Sequence, residues 1–230
     1  MATARRTSLA RLILLLRPCS DVFIHDTLLN FTERVSISTQ GSQANGDSFS
    51  PAVSGDGRYV TFTSYATNLV ANDSNDCADI FIRDRLLKTT NRISISNNGE
   101  ESNADSFGSE ISANGDFVAF CSYASNLVDN DENDYSDVFV YDRTQKRIKR
   151  ISISNTGEES NSDSLYPDIS GDGRYISFTS DANNLDFNDK NGCRDVFIFD
   201  QNLNLIKRFV GYNFTEGNSA SMESAISYDG

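Results

Sequence analysis

Three stretches of the chain carry oxygen-bearing side chains at a spacing that could wrap a hard cation. They read Asp73-x-Asn75-x-x-x-Asp79, Asp131-x-Asn133-x-x-x-Asp137 and Asp189-x-Asn191-x-x-x-Asp195. Carboxylate and amide oxygens at the first, third and seventh positions, with a backbone carbonyl near the fifth, form the kind of donor set that Ca²⁺ accepts. The fifth position is Cys77, Tyr135 or Cys193, which offers only its carbonyl, and no Glu stands at the twelfth, so this is not an EF-hand loop. Asp76 and Asp134 give way to Gly192 in the third copy, which makes the ligand sets unequal. A second account needs no ion: Asn and Asp fold back on their own backbone in Asx turns, and an Asp before a strand can satisfy local N–H groups. The residues leave both accounts open.

Other chemistry is thin. His25 is the only histidine, and its counterparts in the other copies are Arg83, Tyr141 and Phe199, so a shared general base is not expected there. There is neither a phosphate-cradling glycine loop nor a zinc spacing. Cys19, Cys77 and Cys193 occupy equivalent places in separate copies, too far apart to bridge, and Cys121 falls in an expected strand, so free thiols are expected. These features point to a non-enzymatic chain with no catalytic residues. The formal charge of −13, from 33 acids and 20 bases, argues against nucleic acid and anionic lipid as partners and favours cations. An acidic, calcium-tolerant surface leans towards the periplasm or the exterior, without fixing a compartment.

The elements that position the acidic loops follow from a repeat. Asp21, Asp79, Asp137 and Asp195 are spaced by 58 residues, and so are Arg34, Arg92, Arg150 and Arg208. Each unit predicts four strands: 48 to 54, 58 to 64, 79 to 84 and 90 to 96 in the first complete copy. Asp56-Gly57, Asn114-Gly115, Asp172-Gly173 and Asp229-Gly230 are hairpin signals of the type I′ kind. The third strand is apolar on consecutive residues (Ile80-Phe81-Ile82, Val138-Phe139-Val140, Val196-Phe197-Ile198), so both its faces must be covered. The fourth alternates, with Ile93 and Ile95 on one face and Ser94 and Ser96 on the other, as a half-exposed edge would. Four-stranded antiparallel sheets at fixed period, each needing cover on both faces, predict an all-β fold: blades of a partial β-propeller.

The stretch "SPAVSGDGRYVTFTS" followed by "DIFIRD" resembles the TolB-type (WD40-like, PD40) β-propeller repeat. The resemblance covers residues 19 to 230. Two departures stand out: Val53, Ile111 or Ile169 replaces the family's frequent Trp, and the loop between the second and third strands is longer. The resemblance implies a binding or scaffolding module with a protein or cell-envelope partner. The alternatives are an accessory propeller of a larger hydrolase or peptidase, and a truncated remnant.

Residues 1 to 18 read as a leader of uncertain nature, with Arg5, Arg6 and Arg11 ahead of the run Leu12 to Leu16, which is too short to span a bilayer. Residues 19 to 38 supply half a blade, about 39 to 212 three full repeats, and 213 to 230 the start of another. Propellers of this type need about six to eight blades, so a fragment with self-associating open blade faces is the expectation. A second cluster, Asn45-x-Asp47-Ser48, Asn103-x-Asp105-Ser106 and Asn161-x-Asp163-Ser164, lies before the innermost strand, where ligand contact and loop-to-strand bonding are the two readings.

Overall fold

The computed structural model describes residues 19–209 and 225–227, so the leader and most of the last partial unit lie outside the described residues. A two-stranded half blade, β1 (Phe23–Asp26) and β2 (Phe31–Arg34), comes first. The first full blade contains β3 (Ser48–Val53), β4 (Tyr59–Ser64), β5 (Asp79–Asp84) and β6 (Thr89–Arg92). The second contains β7 (Ser106–Ile111), β8 (Phe117–Ser122), β9 (Asp137–Asp142) and β10 (Arg147–Arg150). The third contains β11 (Ser164–Ile169), β12 (Tyr175–Ser180), β13 (Asp195–Asp200) and β14 (Leu205–Arg208). Each full blade is a separate antiparallel sheet with its strands in chain order. Successive blades stack, β7 against β3 and β4, and β11 against β7 and β8. The fold is all-β, built of β-propeller blades, and no described helix is long and apolar enough to cross a membrane.

The cores lie between blades. Val22 and Val35 of the half blade meet Val60, Phe62 and Phe81. Ile80 and Ile82, from the other face of the same blade, meet Val118, Phe120 and Phe139. Ala119, Val138 and Val140 then meet Ile176, Phe178 and Phe197. Alternation along β4 and β5 sends neighbouring residues to opposite faces, and both faces have a partner. Within each blade a Phe pair stacks across the two middle strands, with centroids 5.8 Å apart for Phe62–Phe81 and 5.7 Å for Phe120–Phe139 and Phe178–Phe197.

Three local expectations are corrected. The hairpin turns are not type I′: Gly57 takes φ of +70° but Asp56 is not left-handed. Instead Gly57 N–H donates to the Ser54 carbonyl at 2.8 Å, and Asp56 Oδ1 accepts from Ser54 Oγ at 2.6 Å and Arg58 N–H at 2.9 Å. The aspartate is there as an acceptor, not as a residue tolerant of positive φ. The fourth strand is also shorter than expected, ending at Arg92, with Ile95 in only an isolated bridge to Glu101. Ser94 and Ser96 are buried rather than facing solvent, because Ser94 Oγ is drawn inward to Asp79. The loop between β4 and β5 is also less polar than its composition suggests: Ala66 and Leu69 enter the core, as do Ala124 with Leu127 and Ala182 with Leu185.

The turn glycines differ in what they touch. A Cβ on Gly115 would lie 2.5 Å from the Tyr59 ring of the preceding blade, whereas one on Gly57 meets nothing nearer than Arg85 Nη1 at 3.5 Å. Both positions have positive φ. Gly57→Ala should therefore cost about 1–2 kcal/mol of backbone strain, and Gly115→Ala a further 1–3 kcal/mol, roughly, for forcing the blades apart. Urea unfolding of the two variants checks this, and equal losses would show that the close approach to Tyr59 carries no weight.

Candidate functional site

The predicted acidic loops do bring their first, third and seventh residues together, but around an arginine. In the first full blade Arg92 Nη1 lies 3.0 Å from both Asp73 Oδ1 and Asp79 Oδ2, and Nη2 lies 2.7 Å from Glu101 Oε1. Asp79 Oδ1 accepts from Ser94 Oγ at 2.5 Å and from Ser102 Oγ at 2.9 Å. Asn75 Nδ2 donates to Asp79 Oδ2 at 3.1 Å and to the Ser102 carbonyl at 3.0 Å, while its Oδ1 accepts the Cys77 N–H at 3.1 Å. That last bond is an Asx turn.

The second blade repeats the arrangement. Arg150 Nη1 lies 2.8 Å from Asp131 Oδ1 and 3.3 Å from Asp137 Oδ2, and Nη2 lies 2.6 Å from Glu159 Oε1. Asn133 bonds Asp137 at 3.1 Å and accepts the Tyr135 N–H at 3.0 Å. In the third blade Arg208 Nη1 lies 3.2 Å from Asp189 and 3.1 Å from Asp195, with Nε 3.1 Å from Asp186. Asn191 bonds Asp195 at 3.1 Å and accepts the Cys193 N–H at 2.8 Å. Asp76, Asp134 and Gly192 share a left-handed φ of 56°, 58° and 63°. Backbone geometry thus explains why Gly replaces Asp in the third copy.

Sequence reasoning found the acids and missed their partner. Arg92, Arg150 and Arg208 keep the same 58-residue period as the aspartates, which was the available signal. Glu101 and Glu159, Ser94 and Ser102, were also missed, because they come from the next stretch of chain. Among the described residues no group of three or more His, Cys, Asp or Glu is placed to hold a metal ion.

Electrostatics follow from burial. The Arg92 side chain is 7% exposed, Asp73 4% and Asp79 1%. Burial pushes Asp73 up to about 6 even though Arg92 pulls it down, and Asp131 likewise to about 6 against Arg150. Glu101 goes the other way, to about 2, because Ser74 donates to it through both Oγ and N–H and Arg92 adds its charge.

The second predicted cluster consists of joints. Asn45 Nδ2 and Oδ1 bond Thr67 Oγ1 and N–H, each at 2.9 Å, and Asn103 holds Ser125 in the same way. Asp47, Asp105 and Asp163 accept N–H bonds from Ser20, Ala78 and Ser136 of the preceding blade at 2.6, 2.7 and 2.9 Å. Asp84, Asp142 and Asp200 close the turns after their strands. His25 Nδ1 is 2.8 Å from Thr32 Oγ1 on an exposed hairpin. All four cysteines are free thiols, and Cys121 is buried.

One acid pair stands apart. A cavity of about 490 Å³ is lined by β3, β7 and β11, including Glu110 and Asp168. Glu110 is exposed on β7, and partial desolvation by the surrounding strands, together with the Asp168 charge, raises its pKa above the usual carboxylate range. Each lining strand carries a bulge where Ser50, Gly108 or Tyr166 takes positive φ.

Neither a family model nor a curated protein matches this chain. Its structural neighbours are TolB and other β-propeller proteins. TolB from Acinetobacter baumannii is similar at 17% identity over 84% of this chain and 38% of its own, with a TM-score of 0.48. The β-propeller domain of the Trilobed protease from Pyrococcus furiosus is similar at 17% identity over 73% of this chain and 43% of its own, with a TM-score of 0.42. The chain thus spans less than half the length of either.

Replacing Arg92 by Met should cost about 3–5 kcal/mol, the loss expected when one partner of a buried ion pair is removed, as read by urea unfolding. A loss under about 1 kcal/mol, the range of surface pairs, would show that the guanidinium does not hold the loop. The pH dependence has a defined sign. Asp73 and Asp131, raised from 3.8 to about 6, bind protons more readily folded than unfolded, so stability rises as pH falls from 7 towards 4. Glu101, lowered from 4.5 to about 2, contributes stability above 4.5 that is lost as pH falls towards 2. The urea midpoint should therefore be higher at pH 5 than at pH 7.5, and the opposite order would contradict the clustered-carboxylate reading.

Proposed function

We propose that the chain is a non-catalytic β-propeller module that binds a protein partner, its blades serving as a scaffold. The observation that carries this reading is the division between residues that follow the repeat and residues that break it. Periodic acids are engaged inward, on the arginines and on the joints between blades. Outward-facing residues differ from copy to copy. Leu28 and Leu29 on the half blade and Leu86 and Leu87 on the next are 95%, 76%, 70% and 65% exposed at equivalent turns, where the second blade has Thr144 and Gln145. Leucines grouped on adjacent turns mark interaction surfaces more often than isolated exposed ones do. Glu110 and Asp168 likewise stand where the first blade has Ala52. With a net charge of −13, a partner face bearing Lys or Arg is the complementary one. The resemblance to TolB-type repeats favours a cell-envelope protein.

For the acidic loops, we propose that the cation they hold is the chain's own guanidinium, so that Ca²⁺ would enter only by displacing it. Millimolar Ca²⁺ should then leave the melting temperature of the chain unchanged. An upward shift that disappears in Asp73→Asn would establish calcium as the occupant. For the binding reading, a photo-reactive side chain at position 86 should trap a defined protein adduct in cells and one at position 202 should not. Equal labelling from both positions, or hydrolysis of ester or peptide probes by the purified chain that is lost in His25→Ala, would overturn it.

A further inference from the structure

The chain contains four Asn-Gly pairs: Asn45-Gly46, Asn98-Gly99, Asn114-Gly115 and Asn191-Gly192. In such a pair the glycine nitrogen can attack the asparagine Cγ, since no Cβ obstructs the approach. A C–N bond forms, ammonia leaves, and a five-membered succinimide results. Solvent water then adds to either ring carbonyl and opens it to aspartate or isoaspartate, with no change of oxidation state. The side-chain amide must be free to turn and the backbone free to shift.

Three of the pairs fail this requirement. Asn45 is held at both ends by Thr67, and Gly46 is packed so closely that a Cβ would lie 2.6 Å from the Tyr65 carbonyl oxygen. Asn114 Oδ1 accepts from Ser112 Oγ at 2.6 Å and from the Asp116 N–H at 3.0 Å. Asn191 is held by Cys193 and Asp195. Asn98 is different: it is exposed and its side chain makes no hydrogen bond among the described residues. Gly99 takes φ of +86° with nothing within 4 Å of its Cβ direction. Its N–H makes a single turn bond, 2.9 Å to the Ser96 carbonyl, which must open first. Opening one surface turn is a low-energy event.

We propose that Asn98 is a site of spontaneous deamidation in the folded protein, and that its product alters the joint between the first and second full blades. The adjoining Asn97 donates to the Ile148 carbonyl and accepts the Ile148 N–H, both at 2.9 Å, clamping β10 of the next blade. Isoaspartate at 98 lengthens the main chain beside this clamp, and either product adds a carboxylate next to Glu100 and Glu101. The equivalent residues after β2 and β10 are Gln40 and Thr156, so the half blade and the second blade lack this chemistry.

The test compares the full chain, folded in mildly alkaline buffer, with a sample held in urea, using peptide mass mapping with isoaspartate detection over days. The folded sample should convert at Asn98 well before the other three pairs, while the urea sample converts all four at similar rates. A folded sample in which Asn98 converts no faster than Asn45, Asn114 or Asn191 would overturn the assignment. Asn98→Gln should remove the time-dependent fall in melting temperature seen in the parent chain. A parent chain whose melting temperature stays constant despite conversion, or a variant that still declines, would overturn the link to the blade joint.

Discussion

A strand that is apolar on consecutive residues has no face to give to water, and β5 and β9, the third strands of their blades, are of this kind. Ile80, Phe81 and Ile82 are all 5% exposed or less, as are Val138, Phe139 and Val140. A single sheet cannot meet that condition, because a second apolar layer is needed on each side. The copies supply it for one another. Burying one such side chain stabilises by about 1.5–3 kcal/mol, and each inter-blade core contains several, so no blade is an independent unit. Stability is shared between neighbours in the manner of other repeat proteins. In β13 the consequence of lying last among the described blades is visible: Val196 and Ile198 are only half buried while Phe197 and Phe199 are enclosed.

Hydrophobic faces alone leave neighbouring sheets free to slide, and the polar joints remove that freedom. Asn97 bonds the backbone of Ile148 and Asn155 that of Ile206, Asp105 accepts from the Ala78 N–H and the Tyr65 hydroxyl, and Asp163 accepts from the Ser136 N–H. These side chains are exposed or half-buried, so at other relative positions of the blades water replaces the bond, and each contributes about 0.5–1.5 kcal/mol towards one register. The arginine clusters extend this principle to charge. Three carboxylates around one guanidinium leave an excess of negative charge in a poorly solvated place, and the cluster answers by holding a proton more tightly on Asp73 and Asp131. Buried ion pairs are weak sources of stability but strong sources of register. Glu101, reaching back from the approach to β7 to Arg92 at the end of β6, ties two blades by that means.

The architecture was legible because it is repeated. Ile80-Phe81-Ile82 and its copies announced covered strands, and the constant spacing announced separate sheets rather than one continuous sheet. What the sequence concealed was the partnership of residues far apart in the chain. Asp79 and Arg92 are 13 residues apart and Asp73 and Glu101 are 28 apart, so no local pattern says that they converge on one guanidinium. The same spacing of oxygens serves an ion or an arginine, and only the fold decides which lies nearest. The turns misled for a related reason: Asp-Gly signals positive φ at both residues, yet Ser54 offers Asp56 a hydroxyl to accept from, and that bond sets its conformation. Ser94 was assigned to solvent by alternation, whereas its bond to Asp79 breaks the strand.

An internal repeat also provides its own comparison, since positions that must be filled alike for a blade to stand are filled alike in each copy. The aspartate, asparagine and arginine of the loops meet that standard, as do the stacked Phe pairs. Asp186 does not: the two earlier copies have Val70 and Val128 there, yet Asp186 lies 3.1 Å from Arg208 Nε. A blade can therefore be built with or without that carboxylate, and its presence adjusts the charge around one arginine without changing the sheet. Glu110 against Ala52, and the exposed leucine pairs against Thr144 and Gln145, are departures of the same type, while Asp168 also accepts the Ile226 N–H at 2.7 Å. Since the repeated residues are already engaged with one another, the binding role proposed above would draw its specificity from such departures. That places the search for a partner on the turns of the half blade and first blade and on the wall of the inner strands, rather than on the acidic loops that first draw the eye.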